Sequence, residues 1–276
     1  MECEPVSRES DPIGLQEHEV PLPGGVANRG KVVRIGDTVR RPLRSTSPAT
    51  HALLRHLASV GFDGAPRFLG VDSQDREVLT YIPGATVLPP YPDWALSDEA
   101  LVSVAELLRA YHRAVADFDF TPHMWPLSPP ERFIGELVSH NDPNLDNIVF
   151  REGRAVALID FDLAGPGSRL WDAACAARLW APLRPDGYIH DARCGRAFSR
   201  LRLFVDAYGV DHADRLRFGT VVQENQAWFR QLIERHIAAG HSAFLEYSKS
   251  KASMPADEYR RWLSDNEPAV RDALLS

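Results

Sequence analysis

The stretch from Val138 to Asp162 constrains this chain more than any other part of it. Two short apolar runs, Ile148 to Phe150 and Ala155 to Ile159, flank a polar turn at residues 151–154, which is the pattern of a small β-hairpin. A hairpin folds its two ends together. Asn147, just before the first strand, and Asp160, just after the second, are therefore expected to face one point. An amide oxygen with a carboxylate suits a hard ion that keeps several waters and shares phosphate oxygens, which describes Mg²⁺. Asp142 lies on the loop leading into the hairpin, where it can face the same centre without ligating the ion. The alternation of Asp142, Asn144 and Asp146 also opens like a calcium loop. That reading fails because Pro143 stiffens the loop, Asn147 stands where the sharp turn needs glycine, and Gly153 stands where the bidentate acid belongs.

The order His140, Asp142, Asn147, written His-x-Asp-x-x-x-x-Asn, is the catalytic-loop spacing of protein kinases and their small-molecule relatives. Asp160 stands at the place of the metal-binding Asp that opens the kinase Asp-Phe-Gly motif, with Asp162 at the glycine place. On these residues the chain resembles the phosphotransferase enzyme family, the group that includes aminoglycoside phosphotransferases and choline kinases. The resemblance is sharp between Ser139 and Asp172 and extends loosely over residues 17–245. It implies an α+β, two-lobed, protein-kinase-like fold with ATP and Mg²⁺ as cofactors. The implied reaction moves the γ-phosphoryl group to a hydroxyl of a small molecule, an aminoglycoside or another antibiotic or metabolite. Asp142 would then be the catalytic base and Asn147 and Asp160 the metal ligands, while His140 props the loop and Asp172, at a helix start, supports its backbone. Gly24-Gly25-x-x-Asn28 together with Val39-Arg-Arg-Pro42 also resembles an actinobacterial subgroup labelled trifolitoxin-immunity-like.

Residues 1–16 are polar with no period and read as a loose tail. A β-rich small lobe is expected over 17–84 and a helical large lobe over 85–276. Paired Gly24 and Gly25 lie where backbone N–H groups could cover phosphates, although a flexible hairpin tip explains them as well. Gly36-Asp37 is a turn, so Thr38 to Arg41 should return as a strand with Val39 and Arg41 on one face and Thr38 and Arg40 on the other. By the resemblance Val39 packs on adenine, and Arg41 takes the place of the phosphate-holding Lys. The helix read from Pro48 to Leu57 carries no acid where kinases pair a Glu with that Lys, so Arg41 is expected to rest on phosphate with no carboxylate partner. His51 and His56 receive no role. Two further strands, 65–71 and 76–82, complete five, and adenine would bond the backbone around Thr80 and Ile82. Pro83-Gly84 and the Pro-rich run after it read as the hinge. Beyond it, Ser97 caps a helix to about Asp117, and 197–208, 221–239 and 257–264 read as later amphipathic helices.

With 276 residues, 44% of them hydrophobic, the chain can bury a sizeable core. A net charge of −7 argues against nucleic acid or an anionic membrane as partner, since both need a basic face. The excess acid lies mostly beyond Pro83, where 27 Asp and Glu face 21 Lys and Arg. A cationic or polyol substrate would suit it, and an ordinary soluble surface explains it too. Three cysteines without metal-like spacing, an acidic N-terminus and no long apolar run lead to the expectation of a cytoplasmic protein with no membrane association. Oligomeric state has no signal here. A second reading, from another class, is a catalytically weak kinase-like protein that binds a nucleotide or other ligand and confers immunity by sequestration. The missing Lys and Glu favour it, and the intact Asp142, Asn147 and Asp160 oppose it.

Overall fold

The computed structural model describes residues 18–22, 30–240, 244–245 and 254–276; Gly24, Gly25 and the tail at 1–16 lie outside the described residues. The fold is α+β with two lobes. The first holds one antiparallel sheet of five strands in the order β1-β2-β3-β5-β4. Its strands are β1 (Val20–Pro21), β2 (Val33–Ile35), β3 (Thr38–Pro42), β4 (Phe68–Val71) and β5 (Arg76–Thr80). The Gly36-Asp37 turn joins β2 to β3, with Gly36 at φ 55°, a conformation glycine adopts without steric cost. The β4–β5 hairpin folds back so that β5 lies against β3, with Val39 opposite Leu79 and Arg41 opposite Glu77. Helix α1 (Ser47–Ser59) buries Thr50, His51, Leu53, Leu54 and Leu57; these are positions on one helical stripe.

After β5 the chain crosses to the second lobe by a short linker that is tied to the hairpin read from residues 148–159. Ala85 and Phe150 exchange both backbone hydrogen bonds, at 2.9 and 2.8 Å. Gly84 lies at φ 153°, and a Cβ there would meet Val149 Cγ1 at 2.5 Å and the Phe150 carbonyl at 2.6 Å. The hinge glycine is thus required by a close approach of two backbones.

Helix α2 (Asp98–Ala114) begins at the expected cap, where Ser97 Oγ accepts from Ala100 N–H at 3.1 Å. Its buried face carries Leu101, Val104, Leu108 and Tyr111. Two small antiparallel ladders follow. Strand β6 (Leu137–Ser139) pairs with β9 (Gly165–Gly167), and β7 (Ile148–Arg151) pairs with β8 (Arg154–Leu158) as the expected hairpin, Ile148 opposite Leu158. Helices α3 (Arg169–Trp180), α4 (Ala197–Tyr208), α5 (His212–Ala238), α6 (Ala256–Asp265) and α7 (Glu267–Leu275) complete the lobe among the described residues. Helix α5 starts nine residues before the expected Val221. Asp211 caps it by accepting from Asp214 N–H at 2.8 Å, and an exposed Leu216 beside a buried Phe218 breaks the apolar period in its first turns. No helix among the described residues is long and apolar enough to cross a membrane.

Gly84→Val should destabilise the protein by roughly 2–4 kcal/mol, the cost of overpacking with a strained backbone, in urea denaturation. Gly187→Ala, where an added Cβ meets nothing within 4 Å, should stay within about 0.5 kcal/mol of the parent.

Candidate active site

The loop between β6 and β7 hangs from one buried carboxylate. Asp172, in the first turn of α3, accepts from His140 N–H at 2.7 Å and from Asn141 N–H at 2.9 Å, and His112 Nε2 lies 3.0 Å from its Oδ2. Full burial alone would raise its pKa, yet these contacts hold it below the ordinary carboxylate range. His140 accepts from Asp142 N–H through Nδ1 at 3.3 Å, so its Nε2 carries the proton and donates to the Ile159 carbonyl at 3.0 Å. Burial keeps that ring neutral by pushing its pKa down. His140 thereby ties the β6–β7 loop to the end of the hairpin.

Asn141 sits at φ 64°, a left-handed conformation that Asn tolerates better than most residues. The loop fixes it from four sides: its N–H on Asp172, its amide donating to Leu163 O at 2.9 Å, Trp171 Nε1 donating to its Oδ1 at 3.0 Å, and Cys175 Sγ donating to its carbonyl at 3.3 Å. Sequence reading passed over Asn141, although its place between His140 and Asp142 was a usable signal.

Asp142 emerges from this frame with both carboxylate oxygens held. Asn144 Nδ2 donates to Oδ1 at 2.9 Å and Asn147 Nδ2 donates to Oδ2 at 2.9 Å, with a further bond from Asn147 to the Asp142 carbonyl at 3.0 Å. Burial and then the nearby charges of Asp160 and Asp146 push Asp142 up to about 7. The hairpin closes as expected, Ile159 N–H donating to the Asn147 carbonyl at 2.9 Å. Asp160 follows at once in a left-handed conformation, φ 60° and ψ 68°, which turns it out of the strand direction. Burial and the Asp162 carboxylate push Asp160 up to about 6 against the pull of Arg41.

Arg41 does reach this centre from β3, but not as an unpartnered cation. Its Nε donates to Glu77 Oε1 at 2.5 Å, and its Nη1 lies 3.0 Å from Asp160 Oδ1 and 2.9 Å from Asp162 Oδ1. This corrects the expectation that Arg41 has no carboxylate partner: the acid missing from α1 stands on β5, directly across the ladder. Sequence reading missed Glu77 because β4 intervenes in the chain and the β3–β5 register is set only by the folded sheet. Arg40 points the other way, toward Asp72 at 3.5 Å, as strand alternation requires. Arg44 adds a second cation at 2.8 Å from Asp162.

Val39 is half-buried opposite Leu79. The Thr80 N–H is engaged by the Arg67 carbonyl at 2.9 Å, so of the two backbone positions named for adenine Thr80 has no free N–H, and Ile82, beyond the end of β5, is the better placed. For a metal, the donor set fits in kind. Asn147 Nδ2 makes both of its hydrogen bonds to Asp142, while Asn147 Oδ1 accepts none among the described residues, and Asp160 supplies a carboxylate from the other end of the hairpin. No group of three His, Cys, Asp or Glu converges into a complete cage among the described residues, so an ion held here would draw the rest of its shell from phosphate and water.

A sequence profile of the phosphotransferase enzyme family matches residues 124–204, the span that contains the loop, the hairpin and α3. The trifolitoxin immunity protein of Rhizobium leguminosarum bv. trifolii is 34% identical over 214 residues, covering 71% of this chain and 76% of that protein. In fold the chain is similar to a choline/ethanolamine kinase family protein from Mesorhizobium loti, with a TM-score of 0.63, 16% identity and coverage of 95% of this chain and 94% of that one. It is also similar to the GDP complex of a variant of aminoglycoside 2'-phosphotransferase-IIIa, with a TM-score of 0.60, 15% identity and coverage of 94% and 95%.

Asp142→Asn should change the stability of the metal-free protein in a pH-dependent way. A carboxyl whose folded pKa is raised gives its stabilising contribution below its unfolded pKa, near 3.8, and loses it as pH rises through about 7. The amide turns an NH₂ toward one of the Asn144 and Asn147 donors, a cost independent of pH, so the variant should gain on the order of 2 kcal/mol relative to the parent between pH 4 and pH 8, read by denaturant titration in EDTA. An equal gain at both pH values would show that charge is not the cause.

Proposed function

The chain belongs to the phosphotransferase enzyme family, and from that premise we propose that it transfers the γ-phosphoryl group of ATP, with Mg²⁺, to a hydroxyl of a small molecule. The observation that carries this reading is Asp142: a carboxylate whose two oxygens are fixed by neighbouring amides, beside Asp160, on a loop anchored from below. Such fixing is what a base that meets an acceptor hydroxyl requires, because phosphoryl transfer is catalysed chiefly by positioning and charge neutralisation. Asp142 accepts the hydroxyl proton at Oδ1 or Oδ2. Asn144 and Asn147 hold it in orientation, and His140 and Asp172 hold the loop that carries it. Asn147 and Asp160 would hold Mg²⁺, which when bound would supply charge neutralisation at the phosphates. Arg41 contributes phosphate contact from the small lobe, with Val39 against the base and the backbone near Ile82 as its partner. Gly24 and Gly25 remain proposed phosphate-covering positions. Aminoglycosides or other antibiotics and metabolites with hydroxyls are the acceptor class proposed, from the names the structural relatives carry.

The similarity to an immunity protein keeps a second reading in view, immunity by sequestration with little or no turnover. Asp142, Asn147 and Asp160 weigh against it, because a pocket with no use for phosphate has no chemical need of three oxygen-bearing side chains so arranged.

Asp142→Asn should leave ATP binding nearly unchanged and lower turnover at least ~100-fold in a screen of hydroxyl acceptors with labelled ATP; unchanged turnover removes Asp142 from the reaction. Asp160→Ala should abolish the Mg²⁺-dependent part of ATP affinity in calorimetry, and retention of that part means the ion is held elsewhere. Arg41→Ala should weaken ATP about 10- to 100-fold while adenosine, which has no phosphate, binds as before. Arg40→Ala should do far less. Absence of saturable ATP binding in the parent protein would favour sequestration of another ligand.

A further inference from the structure

We propose that Glu77 is the positioning residue that aims Arg41 at the nucleotide phosphates, and that His51 ties this acid to helix α1. The inference rests on the reading of Arg41 as a phosphate contact. Arg41 and Glu77 are cross-strand partners on one face of the β3–β5 ladder, where opposite charges attract at close range. Glu77 is 2% exposed, and both its oxygens are in use. Oε1 takes Arg41 Nε at 2.5 Å, and Oε2 lies 2.8 Å from His51 Nε2. The His51 ring is stacked on Phe68 of β4, with 3.7 Å between centroids and 19° between planes. Helix α1 thus contributes a nitrogen to Glu77 rather than an acid to Arg41.

The guanidinium geometry gives this arrangement a directional consequence. A guanidinium is a planar fork whose orientation is fixed once two of its edges are held. Glu77 holds Nε, while Asp160 and Asp162 share Nη1. Nη2 has no partner among the described residues, and it is not one of the unpartnered side-chain nitrogens sealed from solvent, as Arg40 Nη1 is. It is the donor left for an incoming oxyanion. Without the charge on Glu77, the two aspartates pull the whole fork toward themselves, and Arg41 then competes for the carboxylate assigned to the ion.

Calorimetry with MgATP and with adenosine on the full chain tests this, with thermal unfolding of each variant alongside. Glu77→Gln keeps the shape and removes the charge. It should weaken MgATP about 5- to 10-fold, the difference between a charge-assisted and a neutral hydrogen bond, and leave adenosine unchanged. His51→Ala should weaken MgATP in the same phosphate-selective way but less, and His51→Gln, which can still donate to Glu77, should restore it. If Glu77→Gln does not fold, Glu77→Asp, which keeps the charge and shortens the reach, should show the same selective loss. MgATP affinity unchanged in a folded Glu77→Gln protein, or an equal loss for MgATP and adenosine, overturns the proposal and leaves the nucleotide reading standing. Failure of the parent protein to bind MgATP at all overturns both.

Discussion

A single buried carboxylate carries the working loop of this molecule. Asp172 has no exposed surface and receives two backbone N–H groups and one imidazole. Burying a charge is costly unless hydrogen bonds replace its water, and here three of them do. The first turn of α3 adds its own favourable field, since unsatisfied N–H groups there attract negative charge. The loop residues His140 and Asn141 are thus pinned to a helix whose other side is packed wholly in the core, Ala173, Ala174, Ala176, Ala177 and Trp180 all being inaccessible. Everything Asp142 can do depends on that rigid connection.

A second junction joins the two lobes. Arg41 leaves a strand of the small lobe and ends among carboxylates of the large one, and the linker after β5 is stitched to the β7–β8 hairpin through Ala85 and Phe150. The two contacts lie at opposite ends of β7–β8. One approaches Asp160 beyond β8, and the other grips Phe150 near the turn. Displacement of the small lobe therefore bears on the hairpin from both sides. The orientations of Arg41 and Asp160 are in this way joined through one ion pair.

Much of this was legible in the sequence because it is local. The hairpin, the positions of Asn147 and Asp160 at its two ends, the Ser97 cap and the face assignment of Arg40 and Arg41 all follow from spacing of a few residues. What was not legible depended on register between distant segments. Glu77 lies 36 residues from Arg41, and only the order β3-β5-β4 brings it opposite. The early start of α5 was hidden for another reason: an exposed Leu216 blurred the periodicity that a cap at Asp211 would have completed. His51 looked like an ordinary helix residue because its partner was itself unrecognised.

The distribution of charge bears on what the cleft is built to receive. Asp142, Asp146, Asp160 and Asp162 crowd one end of the hairpin, and the first three are all pushed above the ordinary carboxylate range by burial, Asp142 and Asp160 also by neighbouring carboxylates. Arg41 and Arg44 offset part of that repulsion, through Asp160 and Asp162. The repulsion costs stability, and a site that only had to enclose a neutral ligand would do better with amides or apolar groups in the same places. Under the proposed reaction, a cation brought in with a polyphosphate would reverse the balance, the ion lowering the carboxylates and a phosphate reaching the edge of Arg41 that the aspartates and Glu77 leave open. The crowding of like charge in this cluster is what the proposed metal–phosphate ligand would relieve, and that relief is what would set a phosphoryl-transfer site apart from a cavity that only binds.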